Sequence, residues 1–174
     1  MLGTWIKCML SGQNRQMTEE LLWTFALAFY EKPGVSKSCI RCQDESKADV
    51  TIILLMLWCA ARGYIFNDSA AITVEAHAYH WRTHVVAPLR DIRRWIPKGM
   101  EDTFRKQIVD AELMAERIAL SRLEAASFEL EKVNLLPSEA ARISLSCYER
   151  TIGHALPSDA VQSLLATLDT YVCC

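Results

Sequence analysis

The sequence contains little glycine and little proline. Six Gly and five Pro in 174 residues are too few for a loop-rich all-β chain. Apolar residues make up 51% of the chain and charged residues 23%, which excludes a disordered chain, a collagen-like fibre and a low-complexity linker. The length suits one domain, or one domain with a helical extension, and lets the chain bury roughly 70% of its unfolded surface. We therefore expect a core that needs neither a metal nor a disulfide.

No apolar run is long enough to cross a membrane. The longest, Ile52–Ala61, has ten residues, which is about half of a membrane span and predicts a core helix. The first residues lack a basic segment followed by a long apolar segment, so we expect no secretory signal. The seven cysteines are odd in number and several lie in apolar helical stretches. We therefore predict reduced thiols and a cytoplasmic location, with no membrane association.

Neither a strong charge of one sign nor a catalytic motif is present. The net charge is −2, so no overall field attracts the chain to nucleic acid or to an anionic membrane. The sequence lacks the Gly-x-Ser-x-Gly elbow, the glycine fingerprint of dinucleotide sites and the His-Glu-x-x-His zinc motif. These absences favour a protein that is not an enzyme, and no cofactor is predicted.

Hydrophobic periodicity predicts helices along the whole chain. The predicted ranges are about 19–31, 35–44, 49–62, 70–86, 88–96 and 100–133, followed by two short helices. The helix at 49–62 is apolar all round and must be surrounded by other helices, which would leave no room for a reaction cleft. No pair of alternating strand patterns flanks a turn. The predicted fold is therefore all-α: a compact multi-helix bundle around a buried central helix, with a long helix and a C-terminal helical pair.

Several polar residues and one glycine are predicted to mark helix ends. The stretch Asn67–Ser69 is predicted to cap the fourth helix, and Gly63 the end of the third. Ser138 and Ser158 each follow a proline and precede an acid, which predicts the N-caps of the last two helices. Asp49 begins the apolar helix. It is predicted to complement the helix dipole there, although a carboxylate at the edge of a core is also a candidate site.

Three regions are predicted along the chain. Residues 1–16 show no sustained period and are expected to be a loosely attached extension. Met17 precedes an N-cap, Thr18, and is a possible alternative start. Residues 17–134 are expected to form the helical domain, and residues 135–174 the C-terminal helical pair.

The long predicted helix carries two apolar rows and so requires two partners. One row is expected to dock on the core and consists of Phe104, Ile108, Ala111, Ala115 and Ile118. The other consists of Leu113, Leu120, Leu123 and Leu130. The C-terminal helical pair is one candidate partner. The other is a second copy of the chain, giving a homodimer through the long helix, or another protein.

Histidines and cysteines suggest metal or redox chemistry only weakly. His77, His80 and His84 share one helical face, but one ion cannot easily reach ligands two turns apart, so the feasible metal pair is His80 with His84 or with His77. Asp44 is a further candidate if the histidines serve an enzyme. Cys39 and Cys42 form a Cys-x-x-Cys pair without a second ligand pair or a preceding strand. Core packing is the first interpretation of these cysteines, and a thiol switch or a metal site remains open.

A basic segment with flanking tryptophans is the strongest candidate contact surface. Arg90, Arg93, Arg94 and Trp95 lie close together, and the following helix is rich in Glu. Complementary charge on successive helices favours packing of the two helices against each other, while a partner-binding surface is the next interpretation. Nucleic acid binding by the basic and aromatic residues is the least favoured.

Several segments of the chain resemble a family of small bacterial, mainly proteobacterial, helical proteins known only as a domain of unknown function. They span about residues 20–125 and are Trp23–Tyr30, Pro33–Val35, Cys39–Asp44, Asp49–Trp58, Trp81, Val85–Arg90, Arg93–Arg94 and Glu112–Arg117. The chain departs from the family pattern at Cys42, usually aliphatic, at Lys47, commonly Gly, and at Thr51, commonly Asn. The first departure counts against a shared Cys-x-x-Cys chemistry. The resemblance implies a cytosolic helical protein in bacteria and no particular activity.

These observations favour a non-enzymatic interaction or adaptor protein that contacts a protein partner through Arg90, Arg93, Arg94 and Trp95. A metal-binding protein or enzyme using His80 and His84 is the first alternative. A weak nucleic-acid-associated regulator is the second.

Overall fold

An apolar helix, α3 (Val50–Ala60), lies at the centre of the protein, in a computed structural model that describes residues 21–97 and 102–173. Ile52, Ile53, Met56 and Leu57 on this helix are fully buried. The helices that contact it are α1 (Leu22–Tyr30), α2 (Val35–Ser46), α4 (Asp68–Trp81), α6 (Asp102–Ala125) and α7 (Pro137–Ile152). This arrangement confirms the predicted all-α bundle around a buried central helix.

The remaining elements connect and cover this bundle. A π-helical segment, Arg82–Val86, joins α4 to α5 (Ala87–Trp95), and α8 (Ser158–Val172) packs on α2 and α7. Two short strands, β1 (Tyr64–Ile65) and β2 (Glu131–Lys132), pair antiparallel with Tyr64 opposite Lys132. Strands of two residues are too short to show an alternating pattern, and for that reason the sequence did not predict them.

The long helix ends earlier than predicted. We expected it to reach residue 133, but α6 ends at Ala125 although neither Gly nor Pro follows before Pro137. After the helix, Phe128 packs against Phe66 with ring centroids 6.0 Å apart, and the backbone N–H of Val133 donates to the carbonyl of Gly63 at 2.8 Å. Core packing and the strand pair therefore outweigh the helix propensity of this stretch.

The predicted helix caps are partly confirmed. Asn67 and Asp49 are the N-caps of α4 and α3, and each side chain accepts a backbone N–H of the first turn. Ser138 and Ser158 are not N-caps, because α7 and α8 begin after Leu136 and Pro157. In α7, Pro137 occupies the first helical position, to which its fixed φ is suited. The helix therefore begins earlier in the chain than predicted. Glu139 then accepts the N–H of Leu136 at 3.1 Å.

The two apolar rows of α6 were largely assigned to the wrong sides. Of the row expected to dock on the core, Ala115 is buried, whereas Phe104 and Ile118 are exposed. Leu120 and Leu123 of the other row are buried instead. The buried face of α6 also carries a charged residue, Glu112, which forms ion pairs with Arg90 and Arg93 of α5.

Three predictions depend on the first residues. The extension 1–16, the alternative start at Met17 and the cap at Thr18 all lie outside the described residues.

Within residues 21–97 and 102–173, no helix combines the length and the hydropathy needed to span a membrane.

Candidate functional site

A cavity of about 330 Å³ lies beside the first turn of α3. Its walls come from α1, α2, α3, α4, the π-helical segment, α5 and α6. Apolar side chains of the wall include Trp23, Ala26, Leu54, Trp81, Val86, Leu120 and Leu123. Charged side chains reach it from several elements and include Asp44, Asp49, Arg82, Arg90, Arg94 and Glu116. The expectation that α3 is enclosed on all sides was therefore wrong at its first turn.

Asp49 is fixed where α3 begins. Its Oδ1 accepts the backbone N–H of Thr51 at 2.8 Å and the hydroxyl of Thr51 at 2.7 Å. The backbone N–H of Asp49 donates to the Tyr148 hydroxyl at 2.8 Å. The residue thus caps the helix and also points its second carboxylate oxygen towards Arg82.

The π-helical segment shapes the wall that faces α3 and α6. Pro88 has no N–H to donate to the carbonyl of His84, and its ring would press on that carbonyl in a regular α-helix. The chain widens instead, and Ala87 N–H donates to Arg82 O, five residues back. Arg82, Val86 and Arg90 all line the cavity as a result. Single π-turns of this kind are frequent at functional sites.

Arg82 binds two carboxylates beside the cavity. Its guanidinium donates to both oxygens of Glu75, one at 3.0 Å, and to Asp49 Oδ2 at 3.3 Å. Tyr148 donates its hydroxyl hydrogen towards Glu75 at 3.5 Å. Burial raises the pKa of Tyr148 above its usual range, and hydrogen bonding to Glu75 raises the pKa of Arg82. Arg82 therefore stays charged.

A second ion-pair group joins α5 to α6. Arg90 donates to Glu112 at 3.1 Å and to Glu116 at 2.9 Å, and Arg93 binds both oxygens of Glu112. Glu112 is only 8% exposed. Burial raises the pKa of Glu116, and the nearby Arg90 opposes that shift in part. The charges that the sequence placed on successive helices thus pair within the chain.

The predicted contact residues have different surroundings. Arg90 and Arg93 are committed to Glu112, whereas Arg94 forms a half-exposed ion pair with Asp44 at 2.9 Å. Trp95 is 82% exposed. Whether a partner binds these four residues stays a prediction. The structure brings Arg90, Arg94 and Asp44 to the cavity and leaves Trp95 on the surface.

Among the predicted metal and redox candidates, His77 and Asp44 line the cavity, whereas His80, His84, Cys39 and Cys42 do not. The rings of His80 and His84 stack with centroids 5.9 Å apart, and His84 Nδ1 lies 2.9 Å from the carbonyl oxygen of His80. Within the ranges described, no group of three or more potential ligands gathers around one point. Cys39 and Cys42 are buried free thiols, and burial raises the pKa of Cys42 to about 11. Buried thiols with raised pKa values react slowly.

Sequence reasoning missed Arg82, Glu75 and Glu116 as members of one site. A signal for the first pair exists, since residues 75 and 82 are seven apart and therefore lie on one face of a helix. No spacing connects either residue to Glu116, which lies on a different helix. Only the packing of α4, the π-helical segment and α6 brings them to the same cavity.

The fold and this cavity define an all-α protein with a small, partly charged internal site. The chain belongs to the family described as "Protein of unknown function (DUF2390)", whose family model matches residues 21–123. All residues that line the cavity, from Trp23 to Leu123, fall within that match. No curated protein and no solved structure matches the chain.

Proposed function

We propose that this protein binds a small organic molecule in the cavity beside α3. The observation that carries the proposal is a cavity of about 330 Å³ in which buried and partly buried charged side chains, among them Asp49, Arg82 and Glu116, meet an apolar wall. Ligand sites are usually apolar clefts of about 300–1,000 Å³ with a few polar groups that orient the ligand. This cavity falls at the small end of that range and has the same mixture of surfaces.

The charged side chains support a binding role because they are held by rigid elements. Asp49 is fixed by Thr51 and Tyr148, and Arg82 by Glu75. A site built on helices keeps its geometry better than one built on loops. Burying these charges costs free energy, and a protein with apolar residues of similar volume in their place is often as stable. Stability alone therefore does not explain why the charges are present.

A cavity-filling variant tests the proposal. Ala119 on α6 lines the cavity, so Ala119→Phe should fill part of it, whereas Ala125→Phe adds the same ring at an exposed end of the same helix. We expect members of a library of small aromatic amines, alcohols and carboxylates to bind the natural protein and Ala125→Phe but not Ala119→Phe. Ligand-observed NMR measures the binding.

Two results would contradict the proposal. One is a library with no member that binds the natural protein. The other is binding that Ala119→Phe leaves unchanged while circular dichroism shows that the variant is folded.

Protein association through α5 and α6 is a second candidate function. Trp95 and Ile92 on α5 are exposed, and so are Phe104, Met114 and Ile118 on α6. The two helices pack against each other, and exposed apolar side chains often take part in protein contact surfaces. In this proposal the protein is a cytoplasmic bacterial adaptor, and Trp95 with Arg94 contributes most of the contact, because Arg90 and Arg93 are bound to Glu112.

The second candidate predicts self-association or partner capture that depends on Trp95. Trp95→Ser should abolish a dimer seen by light scattering, or recovery of a partner from cells, without lowering the melting temperature. Leu21→Ser, which also removes an exposed apolar side chain, is the control. A natural protein that is monomeric and recovers no partner would contradict this role.

A further inference from the structure

Helix α5 contributes no residue to the apolar core. Every other helix within residues 21–97 and 102–173 has at least one buried residue, whereas α5 has none. It packs mainly on α6 and on the π-helical segment. Ala87, Arg90, Asp91 and Arg94 of α5 nevertheless line the cavity. One wall of the cavity is thus formed by a helix whose position apolar burial does little to fix.

Ion pairs attach α5 to α6. Arg90 and Arg93 bind Glu112, and Arg90 also binds Glu116. All four side chains are less than 25% exposed. Separating such a group is costly, because it leaves charges that are shielded from water without their partners. We therefore expect α5 to stay attached to α6.

An exposed ion pair joins α5 to α2. Arg94 donates to Asp44 Oδ1 at 2.9 Å, and the two side chains are 51% and 50% exposed. Both residues line the cavity, so the pair lies where the cavity meets the solvent. α2 itself is fixed, because its residues Cys39 and Cys42 are buried in the core. The pair thus connects a helix of the core to a helix outside it.

This ion pair costs little to open. Exposed ion pairs contribute little to stability, and salt screens them. When Arg94 and Asp44 separate, both charges gain water, whereas the separation of apolar surfaces has a cost that grows with their area. α5 can therefore move away from α2 while it stays attached to α6.

The regular helix is interrupted just before α5. Pro88 has no backbone N–H, and the N–H of Ala87 donates to the carbonyl of Arg82, five residues back instead of four. Helices bend at prolines and at π-turns, and hinges often lie at the ends of elements. The π-helical segment is therefore a suitable pivot for α5.

We propose that α5 is a lid over the cavity, which pivots at the π-helical segment and is held closed by the ion pair of Arg94 with Asp44. Opening of the lid lets a ligand reach the apolar wall and the charged groups of Asp49 and Arg82. This inference rests on the proposed ligand-binding function and describes how access to that site is controlled.

The rate at which iodoacetamide alkylates a thiol inside the cavity tests the lid. Ala26 on α1 lines the cavity and is 4% exposed, so Ala26→Cys places a thiol there. We expect Arg94→Gln to raise the alkylation rate of this thiol about two- to fivefold, the effect of losing one exposed ion pair. Peptide mass spectrometry gives the rate at each cysteine separately.

Three controls assign the effect to the lid. Arg150→Gln breaks an ion pair of similar exposure, with Asp68, away from the cavity and should leave the rate unchanged. Cys39 is buried outside the cavity, so its alkylation reports on unfolding of the whole protein and should stay equally slow. Asp44→Arg combined with Arg94→Asp reverses the ion pair and should restore the slow rate.

Several results would overturn the lid. They are an unchanged rate in Arg94→Gln, an equal increase in Arg150→Gln, and an equal increase at Cys39. A thiol in Ala26→Cys that reacts as fast as the exposed Cys173 before any ion pair is broken also overturns it. If Ala26→Cys fails to fold, Ala119→Cys on α6 places the thiol in the same cavity.

The alkylation experiment needs no ligand, so its outcome is separate from that of the proposed function. An unchanged rate in a protein that binds members of the library overturns the lid and leaves the binding site. A rate that responds to Arg94→Gln in a protein that binds no member of the library supports the movement of α5 and contradicts the proposed function.

Discussion

Tyr148 connects the C-terminal part of the chain to the cavity. Its ring is fully buried, and its hydroxyl accepts the N–H of Asp49 at 2.8 Å and lies 3.5 Å from Glu75. The backbone N–H at the start of a helix has no partner within the helix, so this hydroxyl satisfies a donor that would otherwise be buried and unpaired. One phenol therefore holds the first turn of α3 in place.

Removing this hydroxyl should destabilise the protein. We expect Tyr148→Phe to lower the free energy of unfolding by about 1–3 kcal/mol, because the N–H of Asp49 stays buried without an acceptor. Urea denaturation measures the change. Tyr79→Phe is the control, since Tyr79 is half exposed and its loss should change stability by less than about 0.5 kcal/mol. Similar values for the two variants would contradict this role for Tyr148.

The structure decides between two interpretations of Arg90 and Arg93, pairing within the chain and an open basic surface. Their spacing indicated complementary charge with the following helix, and the structure shows both bound to Glu112. Sequence alone could not tell this arrangement from an open basic surface. Whether a guanidinium meets a carboxylate of its own chain depends on the rotation of two helices about their axes.

At the level of elements, two short segments depend on contacts far along the chain. Gly63 has a left-handed φ of 78°, and its carbonyl accepts the N–H of Val133. A side chain at this position would place Cβ 3.1 Å from the carbonyl oxygen of Val133. The turn after α3 therefore packs closely against the segment that follows α6, at Val133.

Lys47, at the end of α2, also has a left-handed φ, of 58°, a conformation more usual for glycine.

Two glycine variants separate backbone strain from this close approach. Gly153 also has a left-handed φ, of 71°, but nothing lies within 4 Å of a Cβ built there. We expect Gly153→Ala to cost about 1–2 kcal/mol for the conformation alone. Gly63→Ala should cost more, because it also presses on Val133. Thermal denaturation of both variants checks the order, and equal losses would contradict the proposed contact.

At the level of the whole molecule, the C-terminal helices complete the core. Ala140, Ala141, Leu145 and Tyr148 of α7 are buried, and α7 packs directly on α3 and α4. In α8, Leu164 and Leu168 are fully buried. The family match nevertheless ends at residue 123. The central helix is covered by residues on both sides of that limit.

A truncated chain tests whether residues 17–134 fold as a domain of their own. We expect a chain that ends at residue 134 to lose cooperative unfolding, because one side of α3 is exposed and Asp49 loses the Tyr148 hydroxyl. Near-ultraviolet circular dichroism and urea denaturation measure this. A truncated chain that unfolds cooperatively with native stability would support the predicted division at 134 and contradict our expectation.

Local patterns in the chain were enough to predict the fold class and the central position of α3, because a stretch that is apolar all round is stable only inside a bundle. They also predicted the cap at Asp49 and a cap within residues 67–69, because cap side chains bind the backbone two or three residues away. Such local interactions can be inferred from neighbours in the chain.

The end of α6, the strand pair and the cavity depend instead on how the helices pack together. Asp49, Arg82 and Glu116 lie on three different elements, and no periodicity relates them. Their encounter depends on the rotation and crossing of helices, which the whole core sets through side-chain packing.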